Sequence, residues 1–204
     1  MAQSLLRGDV ASIATAAEDS REVEGLEQLL LQSLEHELNA VEVYRAALRC
    51  AVDEALREEW EQYLAETRSH VDVLTELCES LGVDFTRDTP GRMAVRQIGS
   101  AILASIERAA AEDDRAVAQL VACECVMLIE TKDHLNWALL GARIRRTFDA
   151  PAVLKLACEQ MEGEEEEHLY HARSWTRDLW RQRLSSAASQ GADVRLRALR
   201  FARN

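Results

Sequence analysis

The chain is poor in aromatic residues (5%) and has only two prolines. An all-β fold draws on aromatic and β-branched residues and on proline-rich turns, so this scarcity disfavours one. No apolar run approaches the ~20 residues of a membrane span. The first twenty residues have neither the basic start nor the apolar stretch of a secretory signal, and a cytoplasmic location is expected. The cysteines, at 50, 78, 123, 125 and 158, are odd in number and mostly fall at apolar positions of helical patterns, which suits buried reduced thiols better than a disulfide framework. The Cys-x-Cys at 123–125 lacks the spaced partners of a zinc site. The formal charge of −12 leaves no clustered cations on the body to neutralise phosphates, which argues against nucleic-acid binding. Neither a glycine-rich phosphate loop nor a Ser/Cys–His pair stands out.

What is present is alanine, leucine, glutamate and arginine, the composition of long helices. At 204 residues the chain is long enough for one domain with a full core. Charge is unevenly spread. From Arg173 onward eight arginines face only Asp178 and Asp193, so the tail carries about +6 and the rest about −18. Such a tail can bind an anionic partner or lipid headgroups, or fold back on the acidic body.

Helical periodicity organises the chain. Residues 1–20 read as a flexible lead-in. A first long helix is expected from about Arg21 to Cys50, and a second, capped by Asp53, ends at Gly82. The short turn between them implies an antiparallel hairpin. Thr89-Pro90 opens a linking helix to Ala111, and Glu112-Asp113-Asp114 marks a break. Another long helix runs to about Arg146, and Asp149-Ala150-Pro151 begins the last, to about Leu184. Residues 185–204 form a basic tail. The expected fold is all-α, two antiparallel helical hairpins joined by a linking helix, over residues 21–184.

Polar residues break into the apolar seams. The first helix reads Leu30, Leu34, Glu37, Val41, Tyr44, Leu48, and the second Trp60, Tyr63, Thr67, His70, Leu74, Leu77. The segment after the break reads Leu120, Cys123, Met127, Glu130, His134, Trp137, Gly141, and the last helix Leu154, Cys158, Met161, Glu165, His168, Ala172. Burying an unpaired carboxylate costs several kcal/mol or forces its protonation. Three of them at similar depth imply a cation. Glu165 and His168, in a Glu-x-x-His spacing, share one helical face and can reach one ion or two neighbouring ions. Hard carboxylates with one imidazole per metal suit iron or manganese better than zinc or calcium. All five histidines (36, 70, 134, 168 and 171) fall within about a turn of this layer. His36 and His171 read as surface residues, and Tyr44 and Tyr63 as core packing.

These patterns resemble the ferritin-like superfamily, including bacterioferritin and rubrerythrin. Glu37-Leu38-Asn39-Ala40-Val41-Glu42-Val43-Tyr44 is similar to that group's first-helix pattern, Glu165-Glu166-Glu167-His168 to its last-helix Glu-x-x-His, and Glu130 to its third-helix glutamate. The run Glu66-Thr67-Arg68-Ser69-His70-Val71 resembles the second helix of small bacterial stress-associated ferritin-like proteins. The resemblance covers roughly residues 22–182. It implies a four-helix bundle whose Glu37, His70, Glu130, Glu165 and His168 bind two metal ions, iron with manganese as the alternative. Glu37 and His70 would serve one ion, Glu130 and His168 the other, and Glu165 would bridge. The sequence departs from the pattern at Thr67, where a glutamate is wanted. Glu66 is one position off the seam and would have to swing inward to ligate. His134, an added imidazole, is expected to orient a carboxylate. A haemerythrin-like centre needs glutamate four residues after histidine, and those positions hold Ala40, Leu74, Ala138, Ala172 and Trp175. The implied activity is oxygen or peroxide activation or ferrous iron oxidation, in a homodimer rather than a storage cage. The alternative is a metal-free helical scaffold, or stress-associated protein, acting through dimerisation or partner binding.

Overall fold

The computed structural model describes residues 2–146 and 152–201, with side chains described for 22–146, 152 and 155–185. Five helices follow one another: α1 Ala2–Cys50, α2 Glu54–Ser80, α3 Pro90–Ala110, α4 Arg115–Arg146 and α5 Ala152–Phe201. No strand occurs among the described residues. None of the helices is long and apolar enough to cross a membrane. Two bounds differ from the sequence reading. α1 begins at Ala2 rather than near Arg21, and α5 continues to Phe201 rather than ending near Leu184. Neither stretch contains proline, and the alanine, leucine and arginine around Gly8 and Gly191 favour continuing each helix beyond the expected bound. The side chains of the lead-in and of the basic tail beyond 185 lie outside the described residues, as do Asp149, Ala150 and Pro151.

Helix ends follow local chemistry. The Asp53 carboxylate accepts from the backbone N–H groups of Ala55 and Leu56 at the start of α2. Gly82, at φ +67°, carries the chain out of α2 in a left-handed conformation. Thr89 Oγ1 accepts from the Arg92 N–H and Pro90 opens α3.

Residues 51–53 alone connect α1 to α2, so the two pack antiparallel. α1 also packs on α3 and α4, α4 on α5, and α2 on α5. α3 lies across α1 and α4 and is fixed by charge. Arg92 and Arg96 both donate to the buried Glu35 carboxylate, at 2.7 Å each. Hydrogen bonding from Arg96, with Arg92 adding to it, outweighs burial and holds Glu35 below the usual carboxylate range. Asn39 packs where α1 and α3 are closest, and a Cβ on Gly99 would come within 2.2 Å of its Cγ.

The apolar interior is divided in two. One cluster gathers Ala40, Tyr44, Ala47, Leu56, Trp60, Tyr63, Val126 and Ala172, among others. The other gathers Leu30, Leu34, Leu74, Leu77, Trp137, Leu140, Cys158 and Met161. On every one of the four helices α1, α2, α4 and α5 the residues separating these clusters are polar and buried: Glu37, Thr67 and His70, Glu130 and Asp133, Glu165 and His168. Five cysteines are free and buried, as expected for reduced thiols.

Removing the α2 cap with Asp53→Ala should lower the unfolding free energy by about 1 kcal/mol. Gly82→Ala should cost a similar amount, on the order of 1 kcal/mol, because φ is positive there. Chemical denaturation followed by helical circular dichroism reads both, and an unchanged midpoint in both variants would contradict these assignments.

Candidate metal centre

Each of α1, α2, α4 and α5 places one or two side chains in the polar layer because its apolar stripe continues above and below it. Glu37 lies on α1, His70 on α2, Glu130 on α4, and Glu165 and His168 one turn apart on α5. All five are 0–1% exposed. The structure brings them together as two triads, Glu37–His70–Glu165 and Glu130–Glu165–His168, each with ligand atoms within 4.8 Å of one another. Glu165 belongs to both.

The imidazoles are oriented from outside. His70 Nε2 lies 2.9 Å from Glu164 Oε2, and His168 Nε2 lies 2.7 Å from Glu66 Oε2. An ionised carboxylate only accepts, so each Nε2 carries the hydrogen and each Nδ1 faces the interior. There His70 Nδ1 is 3.0 Å from Glu165 Oε1 and 3.3 Å from Glu37 Oε1. His168 Nδ1 is 3.4 Å from both Glu130 Oε2 and Glu165 Oε1. Two of the carboxylates also accept from aromatic donors, Glu37 at the oxygen that faces His70 and Glu130 at the oxygen away from His168. Trp137 Nε1 donates to Glu37 Oε1 at 2.6 Å, and the Tyr44 hydroxyl to Glu130 Oε1 at 2.9 Å.

What is left over points inward. Apart from the imidazole–carboxylate approaches just given, Glu37 Oε2, Glu130 Oε2, Glu165 Oε2, His70 Nδ1 and His168 Nδ1 are buried and make no hydrogen bond among the described residues. An orphaned buried polar atom costs about 1–3 kcal/mol, more when charged. Five gathered in one layer fit a site for cations, and three carboxylates with two imidazoles match the ligand chemistry of iron or manganese.

Without a cation, protons take its place. Burial alone would push both imidazoles toward the neutral form. Glu165 and Glu37 beside His70, and Glu130 and Glu165 beside His168, outweigh burial and push each pKa up to about 11. Burial also raises Glu37.

The remaining sequence candidates fall elsewhere. Glu66 does not enter the layer but holds His168 from the outside. Thr67 is buried, and its hydroxyl donates to the Tyr63 carbonyl of its own helix at 2.8 Å, so nothing replaces the missing carboxylate. His134 is turned away into a surface groove with Glu166, Tyr170 and Arg173. His36, expected at the surface, is buried, with Nε2 3.0 Å from the Ile129 carbonyl. Tyr63 is more than packing. Its ring lies 3.9 Å, centroid to centroid, from that of His168, and its hydroxyl is 2.5 Å from Nδ1 of the half-exposed His171.

Two groups were not singled out in the sequence. Asp133 is buried behind Glu37 and Glu130, and burial together with the charges of Glu37, Glu165 and Glu130 pushes its pKa far above the ordinary range. Its spacing of three from Glu130 was the available signal. Glu164 was hidden in the acidic run at 162–167. Comparison of the chain with protein families, curated proteins and solved structures finds no match.

The sign of the pH dependence follows from the histidines. Their folded pKa values lie above the unfolded value of about 6.5, so their stabilisation is complete below that value and is lost as pH rises toward 11. Metal-free protein should therefore melt at steadily lower temperature from about pH 7 to about pH 10. Differential scanning calorimetry checks this, and a flat profile over that window would contradict it.

Proposed function

We propose that the chain is a ferritin-like four-helix bundle, α1, α2, α4 and α5 with α3 as the link between two hairpins, and that its polar layer holds a two-metal carboxylate centre, with iron as the favoured metal. The observation that carries this reading is Glu165, shared by two buried triads in which one oxygen of each of the three carboxylates makes no hydrogen bond. Glu37 and His70 would hold one ion, Glu130 and His168 the other, with Glu165 between them.

When bound, such a pair supplies Lewis acidity and redox chemistry toward O₂ or peroxide. The chain's own residues set the conditions for it. Glu164 and Glu66 fix the tautomer and ring orientation of the two histidines. Trp137 and Tyr44 each hold one oxygen, of Glu37 and Glu130 respectively, and the second oxygen of each carboxylate makes no hydrogen bond and would be available to a bound ion. The apolar clusters on either side exclude bulk water, so each charge in the layer acts at low dielectric. Loading must displace the protons held between the imidazoles and carboxylates, so affinity rises with pH. With Thr67 in place of a second bridging glutamate, only Glu165 spans the two triads. The reaction proposed is oxidation of ferrous iron or activation of oxygen or peroxide for another substrate.

Thr67 also favours the second reading, a helical scaffold that holds no metal, because its hydroxyl is satisfied within α2. Elemental analysis of protein produced with iron available separates the two. About two iron ions per chain, lost in Glu165→Ala, supports the two-metal centre. Absence of metal from the wild type supports the scaffold. Glu66→Ala should weaken metal binding by about 10–100-fold without changing the number of ions bound at saturation. Thr67→Ala should leave binding unchanged. Equilibrium titration with ferrous iron reads both, and loss of a metal site in Thr67→Ala would contradict the ligand assignment.

A further inference from the structure

A groove of about 510 Å³ runs between α3 and α4. Its walls are almost wholly apolar: Val95, Ile98, Ile102, Cys125, Leu128 and Ile129. Ile98 and Leu128 are 61% and 55% exposed, an unusual position for two large aliphatic side chains facing one groove. The volume falls in the range of small-molecule sites.

The polar lining says what such a molecule would carry. Lys132 is one of the groove residues, half-buried, and its ammonium donates only to the side chain of Asn136, one turn along α4. Among the described residues no carboxylate lies within ion-pair distance of it. By contrast, Arg92 and Arg96 sit on Glu35, and Arg145 on Glu162. A half-buried cation without a counter-ion, at an otherwise apolar groove, is complementary to an amphipathic anion. The other basic group, His36, has Nε2 engaged by the Ile129 carbonyl and supplies no second positive contact from that atom.

We infer that the α3–α4 groove binds a single-chain aliphatic monocarboxylate, with its head group on Lys132 and its chain along Ile98, Ile102 and Leu128. The groove floor includes His36 and Ile129, the chain neighbours of Glu37 and Glu130, so an occupant lies directly behind the polar layer. The inference does not depend on metal in that layer.

Isothermal titration of the full-length protein with octanoate, octanol and octylammonium tests it. Octanoate should bind saturably at one site per chain, octanol more weakly, and octylammonium not measurably. Lys132→Met should weaken octanoate about tenfold, the scale of a charge-assisted hydrogen bond, and leave octanol unchanged. Ile98→Asp, at an exposed position where folding is not at stake, should weaken both. Equal binding of the three probes by the wild type would overturn the inference, as would no saturable binding of octanoate. Sedimentation showing that a second copy covers the groove, with Ile98→Asp releasing monomers, would overturn it as well.

Discussion

A carboxylate removed from water must find a proton, a hydrogen-bond donor or a cation, and three carboxylates packed together cannot all be satisfied by donors on their outer edges. That constraint governs this molecule. Glu37, Glu130 and Glu165 each come from the middle of an apolar stripe, and each has one oxygen facing the same interior space. The split core follows from it. Apolar packing resumes one turn above and one turn below, so the helices are held together by two clusters and the polar layer is enclosed between them.

The same constraint shapes the surroundings. The two imidazoles are rigidly presented because each is gripped at Nε2 by a partly exposed carboxylate, and the two outer carboxylates sit where solvent can stabilise their charge. Tyr44 and Trp137 contribute their single polar atoms to the layer and their rings to the apolar clusters on either side, a use suited to amphipathic aromatics. Where no cation is present the layer must hold protons, which couples its charge state to pH and places metal and protons in competition for the same atoms.

Much of this was legible in the sequence because helical periodicity is a strong signal. A Glu or His at a seam position is visible as soon as the stripe is written out, and the end signals Asp53, Gly82, Thr89 and Pro90 act where local chemistry dictates. Less legible was anything decided between helices or by helix rotation. His134 occupies a seam position by spacing yet lines a surface groove beside Arg173, half-buried, and Asp133, one residue earlier, takes the interior instead. A rotation of a few tens of degrees separates those outcomes, well within the width of an apolar stripe. His36 is buried because α3 covers that side of α1, a tertiary fact without a local signature. Glu164 and Glu66 are indistinguishable in sequence from their solvated neighbours, since only the position of a partner helix gives them an imidazole to hold.

The most direct test of the central claim is anomalous diffraction from crystals of the protein soaked in manganese. Two peaks flanking the Glu165 carboxylate, one beside Glu37 and His70 and the other beside Glu130 and His168, are the predicted result. No ordered peak inside the layer, with the carboxylates still paired only to the two imidazoles, would contradict it.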